Sequence, residues 1–129
     1  MKRIFQVTAL IESMTGLIFL ISPSWLVLIL LRTSIDSTID LLLGRIAGAG
    51  LLSIGIACWL THKDEESIAA KGLVAAILLY NIIATILLAY VGFNAHQSLP
   101  ALWAVVIIHL LMAVWCTKIF VAGDRAKKK

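Results

Sequence analysis

Recognisable catalytic motifs are what this sequence has least of. Its two cysteines, Cys58 and Cys116, lie far apart and neither belongs to a C-x-x-C. That excludes the small four-helix thiol–disulfide oxidoreductases of membranes, which need a vicinal redox pair, and favours two small buried hydrophobes. There is no Gly-rich phosphate loop, no H-E-x-x-H and no Cys/His cluster with metal-ligand spacing, so no metal and no cofactor is implied. Charge is scarce as well, at 14% of residues. The formal net charge of +4 comes from chain ends and short loops rather than from a basic stripe interleaved with aromatics. Nucleic acid is therefore excluded as a partner, and anionic lipid headgroups are the expected one.

What the chain does have is apolar surface. With 61% hydrophobic residues and a mean hydropathy of +1.02, 129 residues carry more of it than one soluble core could hide. The class is integral membrane protein. Met1-Lys2-Arg3 before an apolar run imitates a signal peptide, but Glu12 interrupts the would-be hydrophobic region and no A-x-A-like cleavage site follows. The first segment is expected to be a retained span.

A helix needs about 20 mostly apolar residues to cross a hydrocarbon core of about 30 Å, with every backbone amide paired inside it. Four segments meet that test, roughly 4–21, 41–60, 68–91 and 101–121. The expected fold is therefore all-α: a single polytopic membrane domain, a four-helix bundle spanning 1–129, with a basic tail over 122–129. Four crossings put Lys2, Arg3, Lys63, Lys71, Lys118, Arg125, Lys127, Lys128 and Lys129 on one side and leave Arg32 and Arg45 toward the other. By the positive-inside rule both termini are cytoplasmic, and a bacterial inner membrane is the expected location. Trp25 and Trp103 mark the outer interface, Trp59 and Trp115 the inner one. The tail is expected to be a solvated, lipid-facing anchor with little fixed structure.

The first external connection, "SPSWLVLILL", is too apolar for an ordinary loop. One unbroken helix from Ile4 to Leu31 would be about 42 Å long, well beyond a normal span. Ser22 and Pro23 suit the N-cap and first position of a separate short helix over 23–31, interfacial or re-entrant. It could act as a membrane-embedded lid or simply fill space against the outer ends of the spans.

Each span also carries one polar group. Counted from the outer end, Glu12 lies about 14 Å down the first helix, His109 about 12 Å down the fourth and Asn81 about 15 Å down the third. Arg45 starts only about 6 Å down the second, but its long side chain can point inward. Such groups are costly in lipid, so Glu12, Arg45, Asn81 and His109 are expected to face one another as an intramembrane polar cluster. Glu12 shares a face with Thr8, Thr15 and Gly16, Arg45 with Gly48 and Ala49, His109 with Met112, Ala113 and Cys116, and Asn81 with Ala84 and Thr85. Gly44 and Gly48 form a G-x-x-x-G that permits close helix approach. The simplest assignment pairs Glu12 with Arg45. The cluster then either fixes helix register or also holds the polar head of a hydrophobic ligand or relays protons.

A glutamate in the first helix, the "P-S-W" of Pro23 to Trp25, the "G-R-I-A-G" of Gly44 to Gly48 and a histidine in the last helix together resemble the small four-helix bacterial membrane proteins of the DoxX-like group. The resemblance implies a compact four-helix bundle and, as for some members, association with redox or quinone-linked partners; it assigns no catalytic residue. The leading expectation is a non-enzymatic membrane module, an accessory subunit or a binder of a lipid-like or quinone-like ligand. A small proton-coupled transporter centred on Glu12 is the second, and a membrane-embedded enzyme using His109 and Glu12 as acid and base is the third. The partners to expect are the bilayer, a hydrophobic ligand, and a membrane-protein partner or second copy of the chain.

Overall fold

The computed structural model describes residues 1–64, 67–95 and 99–127, with side chains as far as Val121. Five α-helices follow in chain order: α1 (Lys2–Ile21), α2 (Pro23–Leu31), α3 (Thr38–Thr61), α4 (Ile68–Asn94) and α5 (Pro100–Lys127). Every regular element among the described residues is helical, as the composition requires. Helices α1, α3, α4 and α5 are each long and apolar enough to cross a membrane, and α2 is the short extra helix.

The boundaries follow from local chemistry. α3 begins three residues before its apolar run because Ser37 caps it: the Ser37 Oγ accepts from the Asp40 N–H at 3.1 Å and donates to the Asp40 carboxylate at 2.7 Å. Asp40 adds its charge to the positive end of the helix dipole. Ser67 caps α4 in the same way, accepting from the Ala70 N–H at 3.0 Å. Ser37→Ala is expected to cost about 1 kcal/mol of stability, measurable by thermal unfolding in detergent; Ser34→Ala, outside the cap, is the comparison and should be neutral. α5 runs past the apolar segment to Lys127. The backbone of most of the basic tail is thus helical, where little fixed structure was expected, and Lys128 and Lys129 lie outside the described residues.

Pro23 opens α2 with Ser22 at the N-cap, but the serine side chain makes no capping hydrogen bond. The helix is held instead by its first turn. Pro23 is its one buried residue, and the Ser24 hydroxyl donates to the Ile35 carbonyl at 2.9 Å. α2 ends on Arg32 in the left-handed conformation (φ 52°), whose N–H returns to the Leu28 carbonyl at 2.9 Å. Trp25, Leu28 and Ile29 are exposed, so most of the apolar surface of this helix is left uncovered by the described residues.

The helices form two compact units, α1 with α2 and α3, and α4 with α5. In the first, α1 and α3 pack antiparallel through glycines. A Cβ on Gly16 would lie 2.6 Å from the Leu52 amide nitrogen and 2.7 Å from the Gly48 carbonyl oxygen. One on Gly48 would lie 2.7 Å from the Gly16 carbonyl oxygen and 2.8 Å from the Leu20 nitrogen. Backbone therefore rests on backbone, the close approach that small-xxx-small patterns allow in membranes. Gly55 meets Ser13 and the Ala9 carbonyl about two turns beyond Gly48, and Gly44 meets Pro23 and Phe19. The second unit is a helical hairpin. Its seam takes Ala70, Val74, Ile77 and Asn81 from α4 and Leu102, Val106, Ala113 and Cys116 from α5, at the four-, three- and seven-residue spacings of a heptad stripe. Near the α4–α5 connection the Trp103 ring packs over Gly92 and edge-on to Phe93, with centroids 4.9 Å apart.

Candidate functional site

Two residues of the expected polar cluster meet in the α4–α5 hairpin. Asn81 takes the seam position after Ile77, and His109 the position between Val106 and Ala113. The Asn81 side chain is 1% exposed, and its Nδ2 donates to the Ile77 carbonyl at 2.8 Å. That bond fixes the amide, because the opposite orientation would press its oxygen against another carbonyl oxygen. Asn81 Oδ1 then faces His109 Nδ1 at 2.8 Å. An oxygen cannot donate, so the imidazole proton sits on Nδ1. The Tyr80 ring stands edge-on to the imidazole, with centroids 5.6 Å apart and planes at 80°. Thr85 closes the set by donating to the Asn81 backbone carbonyl at 2.7 Å.

His109 is half-buried, and the bond to Asn81 is its one hydrogen bond among the described residues. Its Nε2 therefore keeps a lone pair that no described residue uses. Asn81→Leu and His109→Leu are each expected to cost about 1 kcal/mol. Their coupling in a double-mutant cycle should be about 0.6 kcal/mol, the usual worth of an interhelical hydrogen bond in a membrane protein.

The other two residues do not pair. Glu12 is buried in α1 at 5% exposure, whereas Arg45 is exposed on α3, and among the described residues neither carboxylate nor guanidinium has a partner. The expected Glu12–Arg45 ion pair is absent for a reason of register. Ser13, next to Glu12, lies against Gly55, and Arg45 stands ten residues before Gly55 on α3. At 1.5 Å per residue that is about 15 Å along the axis toward the Thr38 end of α3, too far for an arginine to bridge. Arg45 is also turned about 100° from Gly44, which points toward Phe19 and Pro23. Glu12 has a companion on the face that spacing assigned to it. The Thr8 hydroxyl, one turn earlier on the same face, is buried with no hydrogen-bond partner. Ser53, Thr85 and Thr117 in the other spans bond back to the carbonyl four residues earlier. Thr8 does not, and its hydroxyl is the one buried side-chain polar atom without a hydrogen bond among the described residues.

Among the described residues no group of three or more His, Cys, Asp or Glu side chains could hold a metal ion. Helix lengths, apolar surface and intramembrane polar groups define the class: a small α-helical membrane protein with four membrane-length helices and a short fifth. Comparison goes no further than that class, because the chain matches no family model, no curated protein and no solved structure.

Proposed function

We propose that this protein is a non-enzymatic membrane module that holds a lipid-like or quinone-like hydrophobic ligand, with His109 as the anchor for the ligand's polar head. The observation that carries this reading is the His109 imidazole, oriented by Asn81 and left with one unused nitrogen on a half-buried, otherwise apolar helix face. A side chain required only for helix register would be satisfied by its partner. Hydrophobic ligand sites typically combine an apolar lining with a very few oriented polar groups, and this is such a group. The location that goes with the reading is a bacterial inner membrane with both termini cytoplasmic, supported by the one-sided distribution of nine of the eleven Lys and Arg residues. An accessory role beside a membrane-protein partner or a second copy draws support from Arg45, an exposed intramembrane cation whose counter-charge no described residue supplies. Kinship with the DoxX-like group belongs to the same proposal.

The test is extraction of purified protein in mild detergent followed by mass spectrometry of bound lipids. One species should co-purify with the wild type and be lost from a folded His109→Leu variant. Recovery of neither lipid nor partner protein from the wild type would defeat the proposal.

One observation favours a second reading, the small proton-coupled transporter. Without Arg45 beside it, the Glu12 carboxyl is buried next to an unsatisfied threonine hydroxyl and is free of the counter-ion that would have held it charged and occupied. Abolition of substrate-dependent proton movement in liposomes by Glu12→Gln, with His109→Leu still active, would shift the assignment to this reading.

A further inference from the structure

The same hydrogen bonds that orient His109 also set which ligands it can accept. We infer that the site selects hydrophobic molecules whose head donates a hydrogen bond, such as long-chain alcohols and acylglycerols with a free hydroxyl, over equally apolar molecules whose head only accepts. The inference rests on the ligand-binding reading above and narrows it: lipid-like alcohols and the hydroxyl-bearing quinol form fit the site, and an oxidised quinone, whose carbonyl oxygens only accept, does not.

The argument runs along one chain of bonds. The Ile77 carbonyl is a helix acceptor that Asn81 Nδ2 reaches at 2.8 Å. This fixes Oδ1, and not Nδ2, as the amide atom that meets His109 Nδ1 at 2.8 Å. The Nδ1 proton is committed to that oxygen, so the neutral ring offers a lone pair at Nε2 and no further N–H. A hydroxyl head donates into that lone pair. An ether, ester or ketone oxygen meets it lone pair against lone pair and leaves both unsatisfied. Asn81 is 1% exposed, so water does not compete for the fixing bond or re-orient the amide. The Tyr80 ring edge against the imidazole resists rotation of the ring about its own axis. Asn81 is thus a positioning residue, acting on the ligand through the tautomer of His109.

The experiment uses the full chain in nanodiscs, labelled with 15N at histidine, the His109 signals being those lost in His109→Leu. A long-range proton–nitrogen correlation spectrum should show the proton on Nδ1 and a bare Nε2. Titration with hexadecanol and with hexadecyl methyl ether should show the alcohol binding about tenfold more tightly, the ratio that one hydrogen bond made or left unmade produces, with the Nε2 resonance moving on addition of the alcohol. In His109→Leu that preference should fall to the ratio set by bilayer partition alone. In Asn81→Leu, checked for folding by circular dichroism, it should fall several-fold while His109 loses its single tautomer. A proton found on Nε2 overturns the inference before any ligand is added. Equal binding of alcohol and ether overturns it while leaving the ligand-binding reading intact, and binding of neither overturns both.

Discussion

Gly16→Ala and Gly48→Ala should each destabilise the protein by about 1–3 kcal/mol, with Gly48→Val worse than either. The added methyl group in each case meets backbone atoms of the facing helix at 2.6–2.8 Å, and backbone cannot rotate aside as a flexible side chain can. Gly50 and Gly72 supply the internal control. Neither would bring a Cβ within 4 Å of a neighbour, so alanine at those positions should be neutral or stabilising by up to about 1 kcal/mol through helix propensity. Denaturation of the four variants in one detergent checks the prediction. Equal losses at Gly48 and Gly50 would mean that glycine matters here only as a helix-weakening residue and not as a point of helix contact.

Glu12→Met should make the protein more stable, by about 1–3 kcal/mol, because it replaces a buried polar group that has no partner with an apolar side chain of similar volume. Thr8→Val should act in the same direction and more weakly. Arg45→Leu should change stability by no more than about 0.5 kcal/mol, since the guanidinium is exposed and forms no pair among the described residues. Combined in one double-mutant cycle, the Glu12 and Arg45 changes should add. Breaking a buried ion pair would instead cost about 3–5 kcal/mol for either single change and give strong coupling. A stabilising substitution at Glu12 would also bear on function, since polar groups kept at a cost to stability tend to sit where the chain does something.

These two predictions mark where sequence reasoning succeeded and where it stopped. Helix number, the break at Pro23 and the membrane class could be read from the chain because they depend on local quantities: run length, apolar content and the missing N–H of proline. The contact role of Gly44 and Gly48 was readable as a G-x-x-x-G pattern, whereas Gly16 could be placed only on the Glu12 face of α1, and its seat against Gly48 comes from the structure. Asn81 and His109 were identified by depth, and depth sufficed because the two helices form a hairpin whose short connection fixes their register. Glu12 and Arg45 were matched by the same counting, and there it failed. α3 starts before its apolar run, and a second helix stands between α1 and α3, so counting from apolar ends did not give the register that Gly16, Gly48 and Gly55 set. The unsatisfied Thr8 hydroxyl gave no signal in sequence, because intramembrane threonines usually satisfy themselves on their own helix.

The division into α1–α3 and α4–α5 has a consequence for biogenesis. Each unit is made from consecutive helices, so no helix of the first waits for a partner from the second in order to bury its glycine contacts or its Pro23 corner. Synthesis at roughly 5–20 residues per second gives the first unit several seconds on the ribosome before the last helix is complete. The α1–α3 contact, whose geometry tolerates no added methyl group, can therefore form while the chain is still being threaded into the bilayer. A nascent chain arrested shortly after α3 should already resist a protease or cross-linker that attacks the Gly48→Val form.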